Sequence, residues 1–232
     1  MSLRVAFDLD GVLADLGTAY DAVAAQVAAT RDASSGRDKT APDDEGDRSE
    51  TDHENAAATS SPSSTDSAET WDAIRAIPDF WITLSPLEPG VIERLQVTAT
   101  RHRWELFFVT QRPATRGDTV QRQTQRWLVQ HGVDLPSVIV TRGSRGTLAG
   151  ALHLDVLIDD TVQHCVDVIA ESRATPFLVL REPDASTEGN AKRLGITVVR
   201  CVEECLVVLE ELQRRRENPK LLDRLRQRIG AS

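Results

Sequence analysis

Chemistry-bearing residues sit at the ends of short apolar runs. The run Leu3-Arg4-Val5-Ala6-Phe7 delivers Asp8-Leu9-Asp10-Gly11, and the run Glu105 to Val109 delivers Thr110-Gln111-Arg112. Val156-Leu157-Ile158 runs into Asp159-Asp160, and Ser137 to Val140 is followed by Arg142 and Arg145. Asp8 and Asp10 sit two apart at an extended-to-turn transition, so both reach one crevice, and Gly11 allows a sharp turn after them. Carboxylates crowded in this way repel one another unless a hard cation neutralises them, and oxygen-only ligation suits Mg²⁺. Such a metal holds a phosphate oxygen and screens an anionic carboxylate attacking phosphorus. In that chemistry Asp8 is the nucleophile, and Asp10 protonates the leaving oxygen and later activates water. The Thr110 hydroxyl and the N–H groups after it hold equatorial oxygens, and Arg145 balances their charge. Any one of these residues has a plainer reading: a turn at Asp8-Asp10, a helix cap at Asp159-Asp160, a strand end at Thr110. Together, in chain order on successive strand ends, they point to one site.

The elements that must position them alternate. Strands are expected at 3–7, 105–109, 137–140, 156–158, 176–180 and 196–199. Helices are expected at 14–30, 89–100, 115–131 and 162–171, with a short one through Leu148 and Leu152. A last helix turns Val202, Cys205, Leu206, Leu209 and Leu212 inward. This rhythm implies an α/β fold, a parallel sheet covered by helices on both faces, where ligands bind at the carboxyl ends of the strands. Residues 31–70 contain no Val, Ile, Leu, Met, Phe, Trp, Tyr or Cys, and we expect them to be disordered. Residues 218–229 are expected to form an amphipathic helical tail.

Composition narrows the function classes. Of the 232 residues, 40% are hydrophobic and 27% charged, an ordinary globular balance. The net charge of −9 is concentrated in residues 31–70, which hold 11 acids and 4 bases. The nearly neutral remainder favours neither a nucleic acid polymer nor an anionic membrane. No apolar run approaches a membrane span, and Asp8 and Asp10 interrupt the only early apolar stretch, so no signal peptide is expected. Cys165, Cys201 and Cys205 form no CxxC pair, which suits reduced thiols and a cytoplasmic protein, with Cys165 and Cys201 expected in the core. The five histidines are scattered without ligand spacing, and none is expected to bind metal.

The motifs resemble those of a known family. Asp8-Leu9-Asp10-Gly11-Val12-Leu13-Ala14-Asp15 is similar to the nucleophile motif of the haloacid dehalogenase (HAD) superfamily of phosphohydrolases. Val109-Thr110 resembles its second motif, and Val156 to Asp160 its acidic metal-binding motif. Gly143-Ser144-Arg145-Gly146 resembles the segment bearing its basic residue, most often Lys and here Arg. The DGVLAD ending, Phe80-Trp81, and Leu84-Ser85-Pro86-Leu87 before Pro89-Gly90 resemble the 5′-(3′)-deoxyribonucleotidase branch, although Thr110-Gln111-Arg112-Pro113 differs from that branch's Thr-Ser-Pro.

The resemblance implies a Mg²⁺-dependent phosphatase for a small-molecule phosphomonoester, a (deoxy)nucleoside monophosphate or another metabolite such as a sugar phosphate. A silent binding module on the same fold is the alternative. It also implies a Rossmann-like core, placed here over 1–15 and 80–212, and a small helical cap inserted after the first strand, over 16–79; the amphipathic tail read above completes the chain over 213–232. Asp8 would be the nucleophile, Asp10 the acid/base and Arg145 the cation, with Arg142 as rival. Leu9, Asp10, Thr110, Gln111, Arg112 and Arg145 would surround the phosphate. Asp8, the Asp10 carbonyl and Asp159 would hold Mg²⁺, with Asp160 ligating or orienting water.

Overall fold

The computed structural model describes residues 2–35 and 64–217. Six parallel strands form one sheet in the order β3-β2-β1-β4-β5-β6. They are β1 (Arg4–Asp8), β2 (Glu105–Thr110), β3 (Val138–Val140), β4 (Val156–Asp159), β5 (Thr175–Val179) and β6 (Thr197–Val199). From β1 the chain moves outward through β2 and β3, then returns to lay β4 on the other side of β1. The order therefore reverses between β1 and β4, and a crevice forms at the carboxyl ends of strands flanking such a reversal. The register places Phe7 beside Phe108 and Ile158, so Asp8, Thr110 and Asp159 end their strands at one edge.

Strand alternation divides the core. Val5 and Phe7 join Phe108, Val156 and Ile158 in the larger cluster on one face. Ala6, Val109 and Leu157 meet Ala149 and Val168 on the other. The helices covering these faces include α3 (Val91–His102), α4 (Val120–Gln130), α5 (Arg145–Ala151), α6 (Val162–Glu171), α7 (Ala185–Arg193) and α8 (Val202–Glu217). Trp127 and Leu128 of α4, and Val202, Cys205, Leu206 and Leu209 of α8, are buried as their spacing implies.

Between β1 and α3 stands the cap, made of α1 (Leu16–Ser35) and α2 (Ser64–Ala76), followed by a 3-10 turn at Phe80–Ile82. Asp15 caps α1 by accepting the Thr18 N–H at 2.9 Å. The rings of Tyr20 and Trp71 meet across the helix pair, 5.3 Å apart and tilted by 56°.

Several expectations are corrected here. The segment expected to be disordered is helical at both ends, since 31–35 continue α1 and 64–70 open α2. Helix pairing supplies what local apolarity lacks: Thr70 is buried, and Arg31 stands 4.0 Å from Glu69 across the pair. Residues 36–63 of that segment lie outside the described residues. The expected boundary at 212 lies within α8, which runs unbroken to Glu217; the rest of the expected tail, 218–232, also lies outside the described residues. Helix α7 is absent from the sequence reading, for it buries only Ala191 and shows no apolar stripe. It stands on its Asp184 cap, which accepts from Ser186 N at 3.0 Å, and on the Lys192–Glu188 pair one turn apart. Cys201 is partly exposed, because it precedes α8 instead of lying on its inner face.

Candidate active site

The crevice at the strand ends is a cleft of about 750 Å³. Asp8, Asp10, Gln111, Arg112, Arg145 and Asp160 line it, together with Tyr20 of α1 and Trp71 and Arg75 of α2. Leu9, Thr110 and Asp159 are buried and do not line the cleft. Arg142 is exposed and does not line the cleft.

After β1 the chain folds into a tight turn. Leu9 O accepts the N–H groups of Leu13 at 2.8 Å and Ala14 at 2.7 Å. Gly11 has φ +82°, and a Cβ there would lie 1.9 Å from Asp160 Oδ2, so only glycine admits the Asp160 carboxylate against this turn.

Arg145 opens α5. The preceding Ser144 caps the helix by accepting from Gly146 N at 3.0 Å and donates to Glu171 of α6 at 2.7 Å. At Gly146 a Cβ would sit 2.0 Å from Asp167 O, so α5 presses its first turn directly against α6. Held in this way, Arg145 is only 1% exposed. Its Nη2 donates to Asp8 Oδ1 at 2.8 Å and its Nε to Asp159 Oδ2 at 3.4 Å. Its Nη1 is buried with no hydrogen-bond partner among the described residues.

Asp159 is fully buried and also accepts from Thr161 N at 2.9 Å. His164 Nδ1 lies 2.9 and 3.0 Å from its two oxygens. A carboxylate only accepts, so the contact requires a proton on Nδ1. His164 lines the cleft, and sequence reasoning misses its contact. The available signal is its position five residues after Asp159, on the first turn of the helix that follows.

Arg112 lines the cleft and is held against Asp10. Its guanidinium grips Asp10 with Nε–Oδ2 at 2.9 Å and Nη2–Oδ1 at 2.7 Å, while Nη1 donates to Thr124 Oγ1 at 3.0 Å. The guanidinium also lies 4.8 Å from the centre of the Trp81 ring. The Thr110 hydroxyl donates to Asp10 Oδ2 at 3.4 Å.

The electrostatics are those of an over-acidic pocket. Burial pushes the Asp8 carboxyl well above its ordinary range, and the charge of Asp159 adds to this while Arg145 opposes it. Asp160 is raised too, by desolvation first and then by Asp159. The four carboxylates of Asp8, Asp10, Asp159 and Asp160 face the buried guanidinium groups of Arg112 and Arg145, an imbalance that a divalent cation would correct. No cluster of three or more His, Cys, Asp or Glu side chains in metal-holding array occurs among the described residues. The set implied for Mg²⁺ needs only two side chains, Asp8 and Asp159, with the Asp10 carbonyl and water. These are hard oxygens, and Mg²⁺ usually keeps several waters. The donor types present fit it; in the structure both Asp159 oxygens take contacts from His164, Thr161 and Arg145, and the Asp8 and Asp10 oxygens lie nearer the cleft.

The chain matches no family model and no curated protein. It does resemble solved structures. A HAD family hydrolase from Deinococcus radiodurans, whose structure holds phosphate and sodium, has a TM-score of 0.50 at 19% identity, covering 90% of this chain and 96% of that one. For a phosphonoacetaldehyde hydrolase-like protein from Oleispira antarctica the TM-score is 0.52 at 13% identity, covering 92% and 93%. A haloacid dehalogenase-like family hydrolase from Xanthomonas campestris gives 0.51 at 15%, covering 92% and 97%. At such identities the likeness is one of fold: an α/β core with a parallel sheet, as in these hydrolases.

Proposed function

We propose that this chain, which has the fold of the HAD-like hydrolases, is a Mg²⁺-dependent phosphomonoesterase acting through an aspartyl-phosphate on Asp8. The observation that carries the reading is Arg145: a fully buried cation on the nucleophile candidate, with one donor, Nη1, left without a partner among the described residues. A buried unpartnered N–H is costly, and an oxyanion bound beside Asp8 would satisfy it.

The first step forms a bond from an Asp8 oxygen to phosphorus and breaks the bond from phosphorus to the ester oxygen, which takes a proton from Asp10. In the second step water attacks the same phosphorus and gives a proton to Asp10. Asp8 is released and inorganic phosphate leaves. Arg145, the Thr110 hydroxyl and the main-chain N–H groups around Leu9 and Gln111 hold the phosphoryl oxygens while charge spreads over them. Asp8, Asp159 and the Asp10 carbonyl would hold Mg²⁺, with Asp160 ligating or orienting water, and the ion would supply positive charge that favours the ionised form of Asp8 and screens it from the phosphoryl group.

The substrate we assign is a small phosphorylated metabolite with a flat leaving group, a (deoxy)nucleoside monophosphate. The support is the Tyr20 and Trp71 pair, whose residues line the same cleft as Asp8. Among the described residues no helix is long and apolar enough to cross a membrane.

Phosphate release from a panel of deoxynucleotides, ribonucleotides and sugar phosphates, with Mg²⁺ and with EDTA, tests the reading. Turnover with Mg²⁺ that EDTA abolishes supports the phosphatase. Preference for sugar phosphates would reassign the substrate, and no release from any ester would leave the fold as a binding module.

A further inference from the structure

We infer that Arg112 is a positioning residue that fixes the carboxyl of Asp10 for proton transfer, and that it is not a phosphate ligand. The inference rests on the phosphatase reading and concerns a role that the HAD-like motifs do not assign to this residue.

The geometry leaves Arg112 little else to do. Its side chain is fully buried, while the Asp10 side chain is 19% exposed toward the cleft. Nε and Nη2 form a fork on the two Asp10 oxygens, which fixes both the position and the plane of the carboxyl. Nη1 is spent on Thr124 Oγ1, and Thr124 is itself fully buried on α4. The Trp81 ring lies beside the guanidinium, and Trp81 is pinned by Nε1–H donation to Pro113 O at 3.0 Å. Arg145, by contrast, keeps a buried N–H without a partner beside Asp8 among the described residues. The two arginines thus divide the work, one toward the phosphoryl group and one toward the proton carrier.

The fork grips the two Asp10 oxygens unequally. Asp10 Oδ1 receives the shorter contact, 2.7 Å from Nη2, and also lies 3.1 Å from Nε. Oδ2 receives Nε at 2.9 Å and only a long 3.4 Å contact from Thr110. Oδ1 is therefore the more firmly anchored oxygen, and Oδ2 has the longer set of contacts.

Proton donation matters when the leaving oxygen is strongly basic and hardly matters when it is not. This separates a positioning role from both a general structural role and a phosphate-binding role. The test compares kcat/KM for p-nitrophenyl phosphate and for glycerol phosphate in wild type, Arg112→Gln and Arg112→Lys, with the inhibition constant of inorganic phosphate measured alongside. For Arg112→Gln we expect a loss on the order of 10²-fold with glycerol phosphate, less than about 10-fold with p-nitrophenyl phosphate, and a phosphate inhibition constant nearly unchanged. Lys restores part of the loss, because it supplies charge without the fork. Equal losses on both esters, or a rise in the phosphate inhibition constant that tracks the loss, overturns the inference. Should Arg112→Gln fail to fold, Thr124→Val removes only the Nη1 anchor. The same asymmetry, smaller, supports the positioning role, and its absence contradicts it. Wild type inactive on both of these esters and on every nucleotide and sugar phosphate of the panel above would instead defeat the phosphatase reading, and the inference with it.

Discussion

Arg145 Nη2 lies 2.8 Å from Asp8 Oδ1, although 137 residues separate the two in the chain. The same guanidinium reaches Asp159 through Nε, so one cation from α5 joins carboxylates delivered by β1 and β4. That triangle straddles the point where the strand order reverses, and the proposed chemistry is built around it.

The contact separates Arg145 from its rival. Removing one strong donor to a developing oxyanion costs on the order of 10²-fold or more in turnover, and we expect that loss in Arg145→Ala. Arg145→Lys should retain part of the activity with altered phosphate affinity, since a compact ammonium replaces a planar fork. Arg142→Ala should be close to wild type, because Arg142 is exposed away from the cleft. Parallel kinetics on the three variants check this, and abolition by Arg142→Ala alone would move the cation to Arg142.

Gly146→Ala should destabilise the fold and weaken activity together. The added Cβ would meet Asp167 O at 2.0 Å, a main-chain atom of α6 that cannot rotate away. Separating α5 from α6 relieves the clash but withdraws Arg145 from Asp8. Thermal unfolding and phosphate release on one preparation should fall in step. A variant with wild-type melting temperature and activity would contradict the tight α5–α6 contact.

Much of this site is legible in the sequence because its carriers lie at strand ends, where an apolar run stops at Asp8, Thr110 or Asp159. The run and its terminus are local, so they show without any knowledge of pairing. The Arg112–Asp10 fork is not local: the residues stand 102 apart, and nothing around Arg112 says whether it faces phosphate or carboxylate. His164 is hidden for a similar reason, since helical spacing aims it at Asp159 only once β4 and α6 are joined by a short turn. Helix α7 and the outer turns of α1 and α2 lack apolar periodicity. Capping and pairing with a neighbouring helix hold them, and a hydrophobic pattern does not report those forces.

The cysteines give a test independent of catalysis. Burial raises the thiols of Cys165 and Cys205 far above the ordinary value of 9.0. Both should resist a thiol reagent in the folded protein, while the partly exposed Cys201 reacts. Above the ordinary thiol value the unfolded chain loses these protons while the folded chain keeps them, so stability falls as pH rises past about 9. Replacing both buried cysteines with Ala should flatten that alkaline slope in denaturant melts. Three equally fast thiols in the folded protein would contradict the burial.

Asp8→Asn removes the attacking charge and relieves a crowded, buried carboxylate. Turnover should fall by orders of magnitude, while the melting temperature holds or rises slightly. A variant that melts far below wild type would show that Asp8 is needed by the fold itself.

The most direct measurement is a rapid acid quench of wild type turning over p-nitrophenyl phosphate with Mg²⁺, followed by peptide mass spectrometry. A phosphoryl group on the peptide containing Asp8, and absent from the same peptide of Asp8→Asn, is the expected result. Steady turnover with the phosphoryl group on another residue, or an Asp8→Asn variant that turns over at the wild-type rate, would contradict an aspartyl-phosphate at Asp8.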